Sequence, residues 1–180
     1  KLSETFLGDR LRNAIRWRET VAAGAEACRL VHGEGDGLPS LVVDRYDRWL
    51  VVQLLSAGLE TMRSAILEAL VDVCAPDGIL LRHDSPVRRR EGLDETVAVA
   101  TGEVPEWIEV REGTVRYLAA PWHGQKTGAF LDQRPNRQLL ARHTRPGGRA
   151  LDCFAYHGSF ALHLATRAAA VTALDISLEA

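Results

Sequence analysis

A chain of 180 residues, 46% hydrophobic and 26% charged, has the composition of a globular protein with room for one large or two small domains. Its formal net charge of −2 and pI near 6.3 count against a dedicated nucleic-acid binder, which carries a basic excess. No apolar run approaches the ~20 residues that cross a bilayer and no leader pattern opens the sequence, so no membrane partner and a cytoplasmic location are expected. Three cysteines without a C-x-x-C spacing and six histidines without an H-x-x-x-H pair give no metal site and no disulfide framework.

In chain order, Leu7, Leu11, Ala14 and Ile15 recur at helical spacing and predict an amphipathic helix ending near Gly24, its polar face crowded with Arg10, Arg12, Arg16 and Arg18. Ala27 to Val31 reads as a strand, the glycine-rich stretch from Gly33 to Pro39 as a long turn, and Leu41 to Asp44 and Trp49 to Leu55 as two further strands. Glu34, Asp36 and Asp44 fit turn and cap positions better than a calcium loop, whose D-x-[DN]-x-[DN]-G pattern is missing. The stripe Leu59, Met62, Ile66, Ala69, Leu70, Val73 predicts a core-facing helix closed by Pro76 and Gly78. Ile79 to Leu81 is a strand. Ser85 to Glu95 is polar and broken by proline, which predicts a mobile loop carrying Arg88, Arg89 and Arg90; guanidinium groups held out on such a loop make these three the RNA-binding candidates. Val97 to Ala100, Trp107 to Val110 and Thr114 to Ala119 are extended, the last two joined at Glu112 and Gly113, and a helix runs from Pro135 to His143.

Two blocks carry chemistry. From Ala150 to Phe160 a short apolar strand enters a loop with Gly158 and then a helix; a second strand, from Val171, ends on Asp175, which follows Asp152 by 23 residues. An acid about 20 residues on is the spacing at which a carboxylate meets ribose hydroxyls in a βαβ unit. The loop lacks G-x-G-x-x-G, so an adenosine ligand without phosphates, S-adenosylmethionine, fits better than a dinucleotide. The second block, Gly124 to Arg134, sets Lys126, Thr127, Asp132, Gln133 and Arg134 around two glycines beside Phe130 and Leu131. That mixture suits an amino-acid moiety, cations for its carboxylate and Asp132 for its ammonium group. It is not a P-loop, because the full G-x-x-x-x-G-K-[ST] pattern is missing.

Gly124 to Arg134, Leu151 to Phe160 and Leu174 to Ser177, in this order and preceded by the stretch from Arg29 to Tyr46, resemble the class I S-adenosylmethionine-dependent methyltransferases of the bacterial large-subunit ribosomal RNA cytosine-C5 family. The resemblance covers nearly the whole chain. It implies an α/β architecture: a linking helix over residues 1–24, a small α+β middle domain over 25–120, and over 121–180 the beginning of a Rossmann-like methyltransferase sheet, truncated here as in a piece of a longer enzyme. It also implies that Asp152, Phe154, Tyr156, Gly158 and Ser159 line the cofactor loop, that Asp175 binds the ribose, and that Lys126, Thr127, Asp132 and Arg134 close over the methionine end. The family's usual Tyr-Thr-Gly-Gly reads Tyr156-His157-Gly158-Ser159 here, and His157 is expected to face solvent.

The implied reaction forms 5-methylcytosine in large-subunit ribosomal RNA after a cysteine thiolate adds to the base. The family carries that cysteine beyond the strand ending at Asp175; Cys28, Cys74 and Cys153 are each read as small buried residues. The catalytic residue is therefore unknown, and the chain alone is expected to transfer methyl groups weakly or not at all. A methyltransferase for another acceptor and a non-catalytic RNA-binding module are the alternatives, and homodimerisation is left open.

Overall fold

The computed structural model describes residues 5–177. Residues 1–4, the start of the expected linking helix, and residues 178–180 lie outside it. The chain divides into two compact units: one runs to Ile108 and takes in Ala119–Ala129, the other comprises Glu109–Leu118 and the chain from Phe130 onward.

The first unit is a mixed five-stranded sheet with helices on it. Its strands β1 (Ala27–His32), β2 (Leu41–Tyr46), β3 (Trp49–Leu54), β4 (Gly78–His83) and β5 (Thr96–Gly102) lie in that order. All neighbours are antiparallel except β3 and β4. That parallel step needs a crossover, supplied by α2 (Ala57–Glu60) and α3 (Arg63–Cys74). The period of two in the strands decides which residues meet the helices: Leu41 and Val43, Leu50, Val52 and Leu54, Ile79 and Leu81 join Ile66 and Leu70 of α3 in one buried cluster. The first helix, α1 (Phe6–Val21), is no mere linker: Leu11 and Ala14 are buried in the same cluster.

The opposite face of the sheet is polar where the segment Ala119–Ala129 meets it. Arg82 donates to the carbonyl oxygens of Pro121 at 2.5 Å and Gly124 at 3.2 Å. At the β4–β5 edge, Gly102 sits at φ +65°, and a Cβ there would lie 1.9 Å from the carbonyl oxygen of Asp77. Only glycine fits.

The expected mobile loop at Ser85 to Glu95 contains α4 (Pro86–Arg90). Proline is at home in a first helical turn, where its missing N–H costs nothing, so Pro86 starts this helix instead of breaking it.

The second unit contains the hairpin β6 (Ile108–Glu112) and β7 (Val115–Ala119), helices α5 (Arg134–His143) and α6 (Ser159–Ala165), and the parallel pair β8 (Arg149–Cys153) and β9 (Ala170–Leu174). A stretch from β6 and β7, Glu109–Leu118, thus clusters with this unit although the expected middle domain held both strands. The reason is a buried ion pair described below, which ties Glu112 to α5.

Candidate functional site

The loop after β8 is built from left-handed residues. Phe154 has φ 64°, Tyr156 φ 48° and Gly158 φ 75°. Such values are natural for glycine but strained for the two aromatics, and strained backbone of this kind gathers at ligand sites. Space is open around the position a Cβ of Gly158 would take, so its φ, not crowding, favours glycine.

Two carboxylates hold this loop. Asp152 accepts the N–H of Ala161 in the first turn of α6 at 2.9 Å. Burial holds its carboxyl above the usual range, the Ala161 N–H opposing and the charge of Asp175 adding. Asp175, just past β9, accepts the N–H of Ser177 at 2.8 Å and of Tyr156 at 2.7 Å, and these bonds hold it below the usual carboxylate range. It therefore stays ionised, fixed in direction and open to solvent. Phe154 and Ile176 stand 90% and 98% exposed. A fixed carboxylate on a loop and strand end that also carry exposed apolar side chains suits a ligand with paired hydroxyls and a flat ring. Ser159 is buried at the start of α6, and its carbonyl accepts from His163 Nδ1 at 2.8 Å.

His157 does not face solvent. Its ring lies 5.1 Å from that of Tyr117 and 4.8 Å from that of Tyr156, and both ring nitrogens are buried without a hydrogen-bond partner. Burial, with the nearby Arg137 charge, pushes it down to about 4 against the pull of Glu112, so the ring is neutral. Behind it lies a group that sequence reasoning missed. Glu112 accepts from Arg137 Nε at 2.9 Å and from the Tyr117 hydroxyl at 3.0 Å, with His163 Nε2 at 3.3 Å; Arg137 Nη2 also donates to it. Burial alone would raise this carboxyl, but the neighbouring His163 side chain and the hydrogen bonds and charge of Arg137 bring it down to about 2. The signal was present in the strand alternation: Ile108, Val110 and Glu112 share the buried face of β6.

Of the methionine-end candidates, Asp132 and Arg134 belong to this unit. Asp132 is exposed in a 3-10 turn, Arg134 opens α5, and Phe130 packs edge-on against Tyr156 at 5.4 Å, so the two sequence blocks meet at these rings. Lys126 and Thr127 belong to the first unit. Thr127 is buried, its hydroxyl donating to Asp44 at 2.6 Å with the Tyr46 hydroxyl 3.2 Å away, and Asp44 also holds Arg29 through two bonds of 2.8 and 2.9 Å. Thr127 is thus an anchor of its loop. Lys126 beside it is exposed at φ 56°.

The three candidate arginines separate. Arg88 is buried and spent on the carbonyls of Leu54 at 2.5 Å and Asp94 at 2.9 Å and on Glu60 at 3.0 Å, so it does not reach out of a loop. Arg89 pairs with Glu95 at 2.9 and 3.1 Å, and both Arg89 and Arg90 are exposed. Cys28 is buried and Cys74 half-buried with its thiol raised by burial, whereas Cys153 is exposed on β8, against expectation. Every other residue of β8 from Arg149 is open to solvent, and Cys153 is one of these. Among the described residues no cluster of His, Cys, Asp or Glu could hold a metal ion, and no helix is long and apolar enough to cross a membrane.

The chain is 39% identical over 179 residues to ribosomal RNA large subunit methyltransferase I of Shigella boydii, and equally to proteins of that name from Escherichia coli. Its relatives are ribosomal RNA methyltransferases. The match takes in 97% of this chain and 45% of the relative, so the chain spans about half the length of the proteins it resembles. No protein-family profile matches. Among solved structures, one from Streptococcus mutans assigned as a SAM-dependent methyltransferase superposes over 99% of this chain and 46% of its own with a TM-score of 0.82 at 24% identity. A methyltransferase-type protein complexed with SAH superposes with a TM-score of 0.83, also at 24% identity. At that identity the likeness concerns the fold, and the expected α/β, Rossmann-like architecture is borne out.

Proposed function

We propose that this chain supplies the S-adenosylmethionine-binding loop and a substrate-side domain of an enzyme that methylates large-subunit ribosomal RNA, the product being 5-methylcytosine. The observation that carries the reading is the Asp175 carboxylate, fixed by the N–H groups of Tyr156 and Ser177 at the mouth of a left-handed loop, in a chain 39% identical to ribosomal RNA methyltransferases. Asp175 binds the ribose hydroxyls, Asp152 holds the loop to α6, and Phe154, Tyr156, Gly158 and Ser159 shape the wall. Within the second unit, Asp132 and Arg134 take the methionine end. S-adenosylmethionine supplies an electrophilic methyl group on a sulfonium. The acceptor carbon of cytosine needs a thiolate to activate it, and no cysteine of this chain is given that role. The partner is ribosomal RNA and the compartment the cytoplasm.

The test is a methylation assay on bare large-subunit ribosomal RNA with the full-length protein, followed by mass spectrometry of the nucleosides. Labelled 5-methylcytidine is expected, and its loss in Asp175→Ala. Methyl transfer to an exocyclic amine would overturn the product; no transfer, together with no affinity for SAH, would favour the non-catalytic module.

A further inference from the structure

The first unit carries a groove that the cofactor reading does not use. It lies between one face of α1 and the turn from His32 to Gly37, and encloses about 540 Å³, within the size range of small-ligand pockets. Arg10, Asn13 and Trp17 follow one another by three and four residues, so they share one face of the helix. Trp17 is 58% exposed, unusual for an indole on a helix whose apolar stripe is already buried. The floor is rigid and electrically balanced: Arg18 grips Asp36 at 2.5 and 2.7 Å, and Asp36 also accepts the His32 N–H at 2.6 Å. Arg10 is different. Its guanidinium lies across Gly37, where a Cβ would come within 3.1 Å of it, and against the Phe6 ring at 5.5 Å, and it pairs with no carboxylate among the described residues.

We infer that this groove binds one unpaired nucleotide of an RNA, its base stacked on Trp17, its edge read by Asn13 and its phosphate held by Arg10. The inference rests on the RNA reading above and adds to it a place of contact. The chemistry decides the class of ligand. A base has a flat face for an indole and alternating donors and acceptors for an amide that offers both, while Arg10, which pairs with no carboxylate among the described residues, matches a phosphate. A peptide helix would call for a row of apolar anchors, and the groove offers one aromatic among polar groups.

The experiment measures binding of a fluorescein-labelled, unstructured RNA of about 12 nucleotides to the full-length protein by anisotropy across a salt series, with SAH affinity and thermal melting as controls. Trp17→Ala is expected to weaken RNA binding about ten-fold and Trp17→Phe to keep most of it. Arg10→Gln is expected to lower the salt slope by about one. SAH affinity and melting temperature stay unchanged in all three. Unchanged RNA affinity in Trp17→Ala and an unchanged slope in Arg10→Gln would overturn the groove while leaving the RNA reading in place. A change of sedimentation state in Trp17→Ala without a change in RNA affinity would assign the face to self-association and overturn it too. If the wild-type protein binds no RNA, both the RNA reading and the groove fail.

Discussion

His157 shows how much one side chain can set in this fold. It stands between Tyr117, which is tied to Glu112, and Tyr156, whose N–H holds Asp175, so ring packing passes from a buried ion pair to the proposed ribose contact. Removing the ring in His157→Ala is expected to cost about 1–2 kcal/mol of stability, the scale of a lost ring pair and its buried area, and to weaken SAH binding, checked by denaturant unfolding and calorimetry. The pH behaviour follows from the same burial. With a folded value of about 4 against an ordinary 6.5, the unfolded chain takes up the proton first. Stability from this group is complete above pH 6.5 and is lost as the pH falls from there towards 4. Replacement by threonine should flatten that part of the stability curve. His83, buried in the first unit and also lowered to about 4 by burial and by Arg88, should leave the rest of the slope in place.

At the scale of elements, two contacts decide local architecture. Glu112 of β6 and Arg137 of α5 are both buried, so Glu112→Gln leaves a cation unpaired inside the protein and is expected to cost about 3–5 kcal/mol, whereas replacing both by leucine and methionine costs much less. Urea unfolding of the single and double variants checks this. Gly102→Ala combines a left-handed φ with a collision against the Asp77 carbonyl, and should cost about 2 kcal/mol or more, read from the melting curve. The strands and α3 were legible because period two and period 3.6 are written in their apolar residues, as in Leu50, Val52 and Leu54 or Ile66 and Leu70. The helix at Pro86 was not, since a five-residue helix has no period to read and its anchor is an arginine turned inward. The Glu112 group was hidden for a related reason: its members come from β6, β7, α5 and α6, and only the fold brings them together.

For the molecule as a whole, the sequence disclosed the α/β fold class and the loop after β8, but not the way the chain divides into its two units. The interval from Asp152 to Asp175 was recognisable by spacing and Gly158 by its residue type, whereas Tyr156 came from the family resemblance; the fold ties Asp152 to the Ala161 N–H and Asp175 to the Tyr156 N–H. The hairpin's allegiance and the burial of α1 against α3 depend on tertiary packing that no local pattern records. The division into two units leaves Lys126 and Thr127 in one and the loop after β8 in the other. The proposed sugar contact lies at that loop alone: the Asp175 carboxylate, fixed by two backbone N–H groups, receives the ribose of a methyl donor. Calorimetric titration of SAH into the full-length protein and its Asp175→Ala variant tests it most directly. Saturable binding to the first and a loss of about ten-fold or more in the second are expected, with melting temperature preserved. Equal affinity in the two proteins would contradict it.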